Sequence, residues 1–388
     1  MSTDLATPAG TDGKDKPFRF FDNRQKYLMF VTTCSEKWVI ADRVSMEISH
    51  LRPRPPALRL FDGGTGDGTV LARVMRDLHR SFPTVPFVVV AKEISLEDVR
   101  QCLEKVPDRL AEHPGTVVVL TNLTYADAPH LAPKNEEAKA ALNWHEIALS
   151  GNSACDFDEQ IKGLSGLLAD GWQVSINEKT GNPRYVKPTV LVLYRDDQRF
   201  ALDRAIPQRG EAQPGYDLLI ASQPFRSRAT PEQKVRMVLA PLARSLAPGG
   251  RMLTTYSIGD DPALELVRKL WPDENPFQTN RHLLIKELKA QLSGEQPDLI
   301  FDALDDSRSK FRYHMHSLPS DMSGGGGIGT SSVMAAWNAA VYVAQIEDER
   351  LLAPMESGEY IRATQEVLEK HGGLWFQDES FIVTRRAD

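Results

Sequence analysis

At 388 residues the chain is too long for one minimal domain and short for three, so one domain with insertions or a smaller accessory unit fits. Its hydrophobic share of 41% and charged share of 26% are those of an ordinary globular protein, and no run approaches the roughly 20 apolar residues of a membrane helix. A net charge of −7 leaves no basic stripe to displace phosphate counterions, which argues against nucleic acid as a partner but leaves a small acidic substrate open.

The first 16 residues are small and polar, lack the apolar core of a secretory leader, and read as a disordered tail. Cys34, Cys102 and Cys155 lie far apart and form no metal-type pair. That odd, sparse count suits a reducing compartment, so the expected location is cytoplasmic.

Residues 18–50 carry a helical pattern in which Tyr27, Val31, Cys34 and Trp38 fall on one face. The plain reading is a helix packed on the core. The sharper one folds its N-terminal end, around Tyr27 and Phe30, over a ligand pocket. Prolines 53, 55 and 56 then end the helix. Strands and helices alternate from there: strand 58–61, helix 69–82, strand 86–91, helix 96–111 and strand 116–120, then strand 216–221, helix 231–246 and strand 251–256. Continuous apolar strands of this kind need cover on both faces, which predicts an α/β, doubly wound, mostly parallel sheet. Residues 127–215 are far too many for an ordinary connection. They read as an inserted subdomain with helices around 138–149 and 157–168, and strands 172–176 and 185–194 about a Thr180-Gly181-Asn182 turn. A glycine-rich loop at 323–329, helices at about 331–346 and 360–371, and a strand at 374–384 complete the chain.

The chemistry-bearing segment follows the first of these strands. That strand ends in Asp62, then come Gly63, Gly64, Thr65, Gly66, Asp67 and Gly68, and a helix begins at Thr69. Glycines without Cβ let backbone approach a ligand, and the helix start offers free N–H groups. A dinucleotide fingerprint wants G-x-G-x-x-G, but its third glycine falls on Thr69.

The pattern D-x-G-x-G-x-G instead resembles motif I of the class I, Rossmann-like S-adenosylmethionine-dependent methyltransferases. Its neighbours agree in order and spacing over about 58–256, less the insertion. The resemblance implies S-adenosyl-L-methionine as cofactor, held at Asp62, Gly63, Gly64, Gly66, Asp67 and Gly68. It implies that Glu93 accepts both ribose hydroxyls, and that Asn122 and Leu123 hold the adenine, where the family more often has Asp. Ser222, with Gln223 and Pro224, ends the fourth strand, where the family presents residues to the methyl group and acceptor. The Pro248-Gly249-Gly250 turn is similar to the family's approach to its fifth strand. The fold implied is a seven-stranded sheet with helices on both faces. It divides into a tail at 1–16, an N-terminal helical cap at 17–52, and the cofactor-binding domain at 53–388 with 127–215 inserted.

Methyl transfer from a sulfonium needs positioning and exclusion of water, and a base only when the acceptor sheds a proton. The run Tyr313-His314-Met315-His316 puts His314 and His316 on one face if it is a strand. Either is a candidate base, as is Tyr27, against the plain reading of half-exposed histidines. No third residue has ligand spacing, so no metal is assigned. His145 in the insertion is equally ambiguous. Arg226 and Arg228 suit a substrate carboxylate, or simply face solvent. The expected partner is a small-molecule acceptor, with a homodimer permitted. Two rivals remain: an aminopropyl transferase of the spermidine-synthase kind, and an inactive cofactor-binding regulator. The first favours paired acids where this chain has Ser222-Gln223-Pro224.

Overall fold

The apolar runs become strands: β1 (Leu58–Gly63), β2 (Phe87–Lys92), β3 (Thr116–Thr121), β4 (Asn143–Leu149), β5 (Val174–Ile176), β6 (Pro183–Tyr185), β7 (Thr189–Arg195), β8 (Tyr216–Ser222), β9 (Leu246–Ser257), β10 (Leu299–Asp302), β11 (Lys310–His314) and β12 (Trp375–Arg385). The structure, a computed structural model, describes residues 23–178, 182–316 and 328–387. The expected tail, most of the glycine-rich loop and the Thr180-Gly181 part of the turn lie outside them.

Among the described residues, ten strands form one sheet in the order β10-β12-β9-β8-β1-β2-β3-β7-β4, with β11 also paired to β12. Its centre is parallel: β1 pairs with β2 from Leu58↔Phe87 to Gly63↔Lys92, β2 with β3, β1 with β8, and β8 with β9. β12 runs antiparallel to β9, and β7 antiparallel to β3. The valine triplets 88–90 and 117–119 are buried in full because the sheet is covered on both faces. On one face lie α2 (Glu36–Ser45), α3 (Thr69–Ser81), α4 (Leu96–Leu103) and α5 (Val106–Glu112), packed on Leu58, Leu60 and Val89. The other face, with Phe61, Val88 and Val90, meets residues 235–243 and the helix Arg281–Leu292. A third cluster joins α1 (Arg24–Thr33) to the helices Thr330–Val343 and Glu359–His371 at one end of the sheet.

The count of seven strands falls short by three. Residues 127–215 deliver β4 and β7 to the edge of β3, which would otherwise expose unpaired backbone. Only β5 and β6 form a separate pair. The helix expected around 138–149 is confined to Glu136–Ala140, and Asn143–Leu149 is β4. Its pairing with β7 overrides the helical propensity of the alanine-rich run before it. The long helix at 18–50 is broken, because Cys34 bridges to Met315 and the Ser35 N–H donates to the His314 carbonyl. Helix 96–111 is split ahead of Pro107, which sits in the first turn of α5. Helix 231–246 ends at Arg244 and widens into a π turn at Val235–Leu239 just before Pro241, which has no N–H to donate. No described helix is long and apolar enough to cross a membrane.

Candidate functional site

Between β1 and β8 the order of connection reverses: β2 and β3 continue to one side, β8 and β9 to the other. Loops leaving neighbouring strands there diverge in opposite directions and open a crevice at the strands' carboxyl ends. A cavity of about 830 Å³ occupies that crevice, lined by Gly64, Gly66, Glu93, Ser222 and Gln223 from the strand ends. Tyr27 and Lys37 of the N-terminal helices, Asn182 of the insertion, and Tyr342 and Gln345 of the C-terminal region close its sides.

The turn after β1 takes its shape from residues that lack or hide side chains. Gly64, Gly66 and Gly68 adopt φ of 114°, 56° and 77°. A Cβ on Gly66 would stand 2.7 Å from the Tyr27 hydroxyl, so glycine is what lets α1 approach the turn. That hydroxyl accepts from the Asp67 N–H (3.3 Å) and donates to the Asp67 carboxylate (3.4 Å). Burial pushes the Tyr27 phenol up, which keeps it protonated and makes it a donor rather than a base. Asp67 stays below the usual carboxylate range: burial works against this, but Lys37, the Thr69 hydroxyl and Lys105 outweigh it. Asp62 is buried behind the turn with one oxygen unpartnered. Burial lifts its carboxyl to about 7.

Glu93, just past β2, ties the site together. One carboxylate oxygen accepts from the Ile94 and Ser95 N–H groups (2.7 and 2.9 Å), and the other from the Gly66 N–H (2.9 Å). A carboxylate has about four acceptor positions, so three are taken by backbone and roughly one is free. A clamp on two ribose hydroxyls therefore requires the Gly66 N–H to let go. Beside it, Arg24 at the start of α1 grips Asp98 of α4 through two bonds of 2.6 Å. Burial and the Glu93 charge nonetheless hold Asp98 up at about 6.

Across the crevice, Gln223 is a non-glycine residue at φ 46°, a strained conformation held by bonds to Ser257 and Asp378. Asp378 is fully buried and pushed well above its ordinary range by that burial.

No family model matches the chain, and no curated protein is similar to it. Three methyltransferases are among the solved structures to which the chain has a weak likeness. Geranyl diphosphate methyltransferase in complex with SAM is 11% identical over 89% of this chain and 85% of that one, with a TM-score of 0.35. PKMT2 from Rickettsia typhi in complex with AdoHcy is 10% identical over 88% and 52%, with a TM-score of 0.33. The plantazolicin methyltransferase BpumL in complex with SAH is 9% identical over 94% and 91%, with a TM-score of 0.30.

Of the residues singled out in the sequence, Tyr27, Phe30, Gly64, Gly66 and Glu93 meet at the cavity with Ser222, Gln223 and Pro224, and Arg226 and Arg228 also line it. Asp62, Gly63, Asp67 and Gly68 support the turn from behind. Asn122 and Leu123 do not reach the cavity. The Asn122 amide is consumed by the Gly171, Lys187 and Thr189 backbone, which fastens β7 to β3, and Leu123 is buried in the core. His314 and His316 are exposed on the face of β11 and its extension that points away from the core, His316 against Trp38. His145 lies on the edge strand β4. The site residues that sequence reading passed over are Arg24, Lys37 and Lys234, which belong to no motif. Lys92 had a signal: a charge closing an otherwise apolar strand.

Proposed function

We propose that this protein transfers a methyl group from S-adenosyl-L-methionine to a small-molecule acceptor. The observation that carries the reading is the glycine turn, with Glu93 bonded to it, opening onto one large cavity at the point where the strand order reverses. At about 830 Å³ the cavity has room for a nucleoside cofactor and a small acceptor together. The residues fit that cofactor: the cradle at Gly64 and Gly66 would be filled by any Cβ, and Glu93 keeps an acceptor position for a ribose hydroxyl.

Bound there, the cofactor would supply an electrophilic methyl on a sulfonium. The chain's part is to place and to enclose. Gly64 and Gly66 admit the ligand to the backbone, Glu93 orients it, and α1 covers it through the Tyr27–Asp67 and Arg24–Asp98 contacts. Water is excluded by the same cover. No histidine of the described cavity wall stands ready as a base, so the reading suits an acceptor that attacks without one or is already deprotonated.

Gly66→Val, which fills the cradle against Tyr27, tests the placement. Equilibrium dialysis should show at least about ten-fold weaker binding of S-adenosylhomocysteine by the variant. Unchanged binding would remove the turn from the site. Transfer of labelled methyl to members of a metabolite library distinguishes turnover from binding alone.

A further inference from the structure

The cavity is lined by two buried lysines that form no ion pair with any described residue. Lys92 closes β2, and its ammonium lies 4.7 Å from the centroid of the Tyr125 ring. It makes no hydrogen bond or ion pair with any described residue; the neighbouring Glu93 spends its carboxylate on backbone N–H groups. Lys234, 3% exposed, stands where the helix Pro231–Lys234 opens into the π turn. It donates to the Ser227 carbonyl (2.7 Å) and rests 5.1 Å from the Phe225 centroid, with no carboxylate in ion-pair range. The two rings are neighbours, since the Tyr125 hydroxyl donates to the carbonyl of Pro224 (3.2 Å). Both lysines line the same cavity.

A buried ammonium without a partner destabilises a fold, and methionine would fill the same space without that cost. Aromatic faces offset part of the penalty, but most of the lysines' N–H donors remain unused. Such an arrangement is stable to selection when a ligand brings the missing charge. A sulfonium cannot be that ligand, because like charges repel. We propose that Lys92 and Lys234 form a binding site for an anionic group, a carboxylate or a phosphate, carried by the methyl acceptor. The proposal rests on the cofactor occupying the glycine turn, which Lys92 adjoins: its carbonyl accepts from the Gly64 and Thr65 N–H groups (3.2 and 3.1 Å). One other source of the same chemistry exists, the carboxylate of the cofactor's own methionine moiety.

Inorganic pyrophosphate and benzoate are the probes, titrated calorimetrically into the full-length protein with and without saturating S-adenosylhomocysteine. Wild type should bind at least one of them, and Lys92→Met or Lys234→Met should weaken that binding about ten-fold or more. Both variants should melt at or above the wild-type temperature, which separates loss of a site from loss of fold. A second reading needs no variant. Burial lowers both lysines, Lys234 to about 8. An anion favours the protonated form, so binding at pH 8.5 should take up protons and should weaken as the pH rises through 8. Failure of wild type to bind either probe, binding without proton uptake, or variants that bind as wild type would each overturn the proposal. So would variants that lose S-adenosylhomocysteine but keep 5′-methylthioadenosine, which lacks the carboxylate; the lysines would then serve the cofactor. If S-adenosylhomocysteine fails to bind wild type while the anions do, the cofactor reading falls and the anion site stands.

Discussion

The acids and the lysines around the cavity are handled in opposite ways. Glu93 is bonded to three backbone N–H groups, Asp98 to Arg24, and Asp67 to Tyr27 and Thr69. Lys92 and Lys234 meet aromatic faces and one carbonyl. The acids belong to a finished piece of structure that a ligand joins; the lysines are incomplete until a ligand arrives. Stability should therefore respond in opposite directions when each set is cut.

The deepest cut is Gly68→Ala. The new Cβ would lie 2.7 Å from Cys102 Sγ and 2.9 Å from its Cα, at a φ of 77° that L residues avoid. Strain and overpacking together should remove about 2–5 kcal/mol of stability in urea titrations. Asp62→Asn tests the one acid behind the turn whose oxygen is unpartnered. A buried carboxyl raised to about 7 stabilises the fold only while protonated, so that contribution is lost as pH rises from about 4 through 7. Between pH 5 and 8 the Asn variant should gain about 2–3 kcal/mol relative to wild type. Parallel profiles would show that Asp62 does not titrate as its burial demands.

Glu93→Gln removes charge from three N–H contacts and should cost about 1–2 kcal/mol of stability, with roughly ten-fold weaker S-adenosylhomocysteine binding. Lys92→Met should do the reverse to stability, raising it by about 1 kcal/mol because an unpaired buried charge disappears. A loss there would mean that the Tyr125 contact stabilises more than burial costs, and the contrast between the acids and the lysines would fail. Smallest of all, His314→Ala and His316→Ala should stay within about 0.5 kcal/mol of wild type and leave methyl transfer unchanged, since both side chains lie outside the cavity.

The turn and the parallel centre of the sheet were legible because their signals are local. Asp62 to Thr69 carries its glycines in one run, and the valine triplets announce strands covered on both faces. β4 was not legible, since its strand conformation comes from pairing with β7, some forty residues further on. Asn122 illustrates a different limit: its place after β3 was read correctly, but sequence gives no sign that its amide points into the insertion rather than the cavity. His314 and His316 drew notice as titratable residues close together, yet their strand faces them outward. Arg24, Lys37 and Lys234 reach the cavity only through tertiary packing, so no spacing rule finds them.

The central claim is met most directly by calorimetric titration of wild type and Glu93→Ala with S-adenosylmethionine, S-adenosylhomocysteine and NAD. The two adenosyl ligands should bind wild type, bind Glu93→Ala at least about ten-fold more weakly, and leave NAD without a detectable heat. Binding of NAD alone, or of none of the three, would contradict the assignment of the glycine turn to a methyl donor.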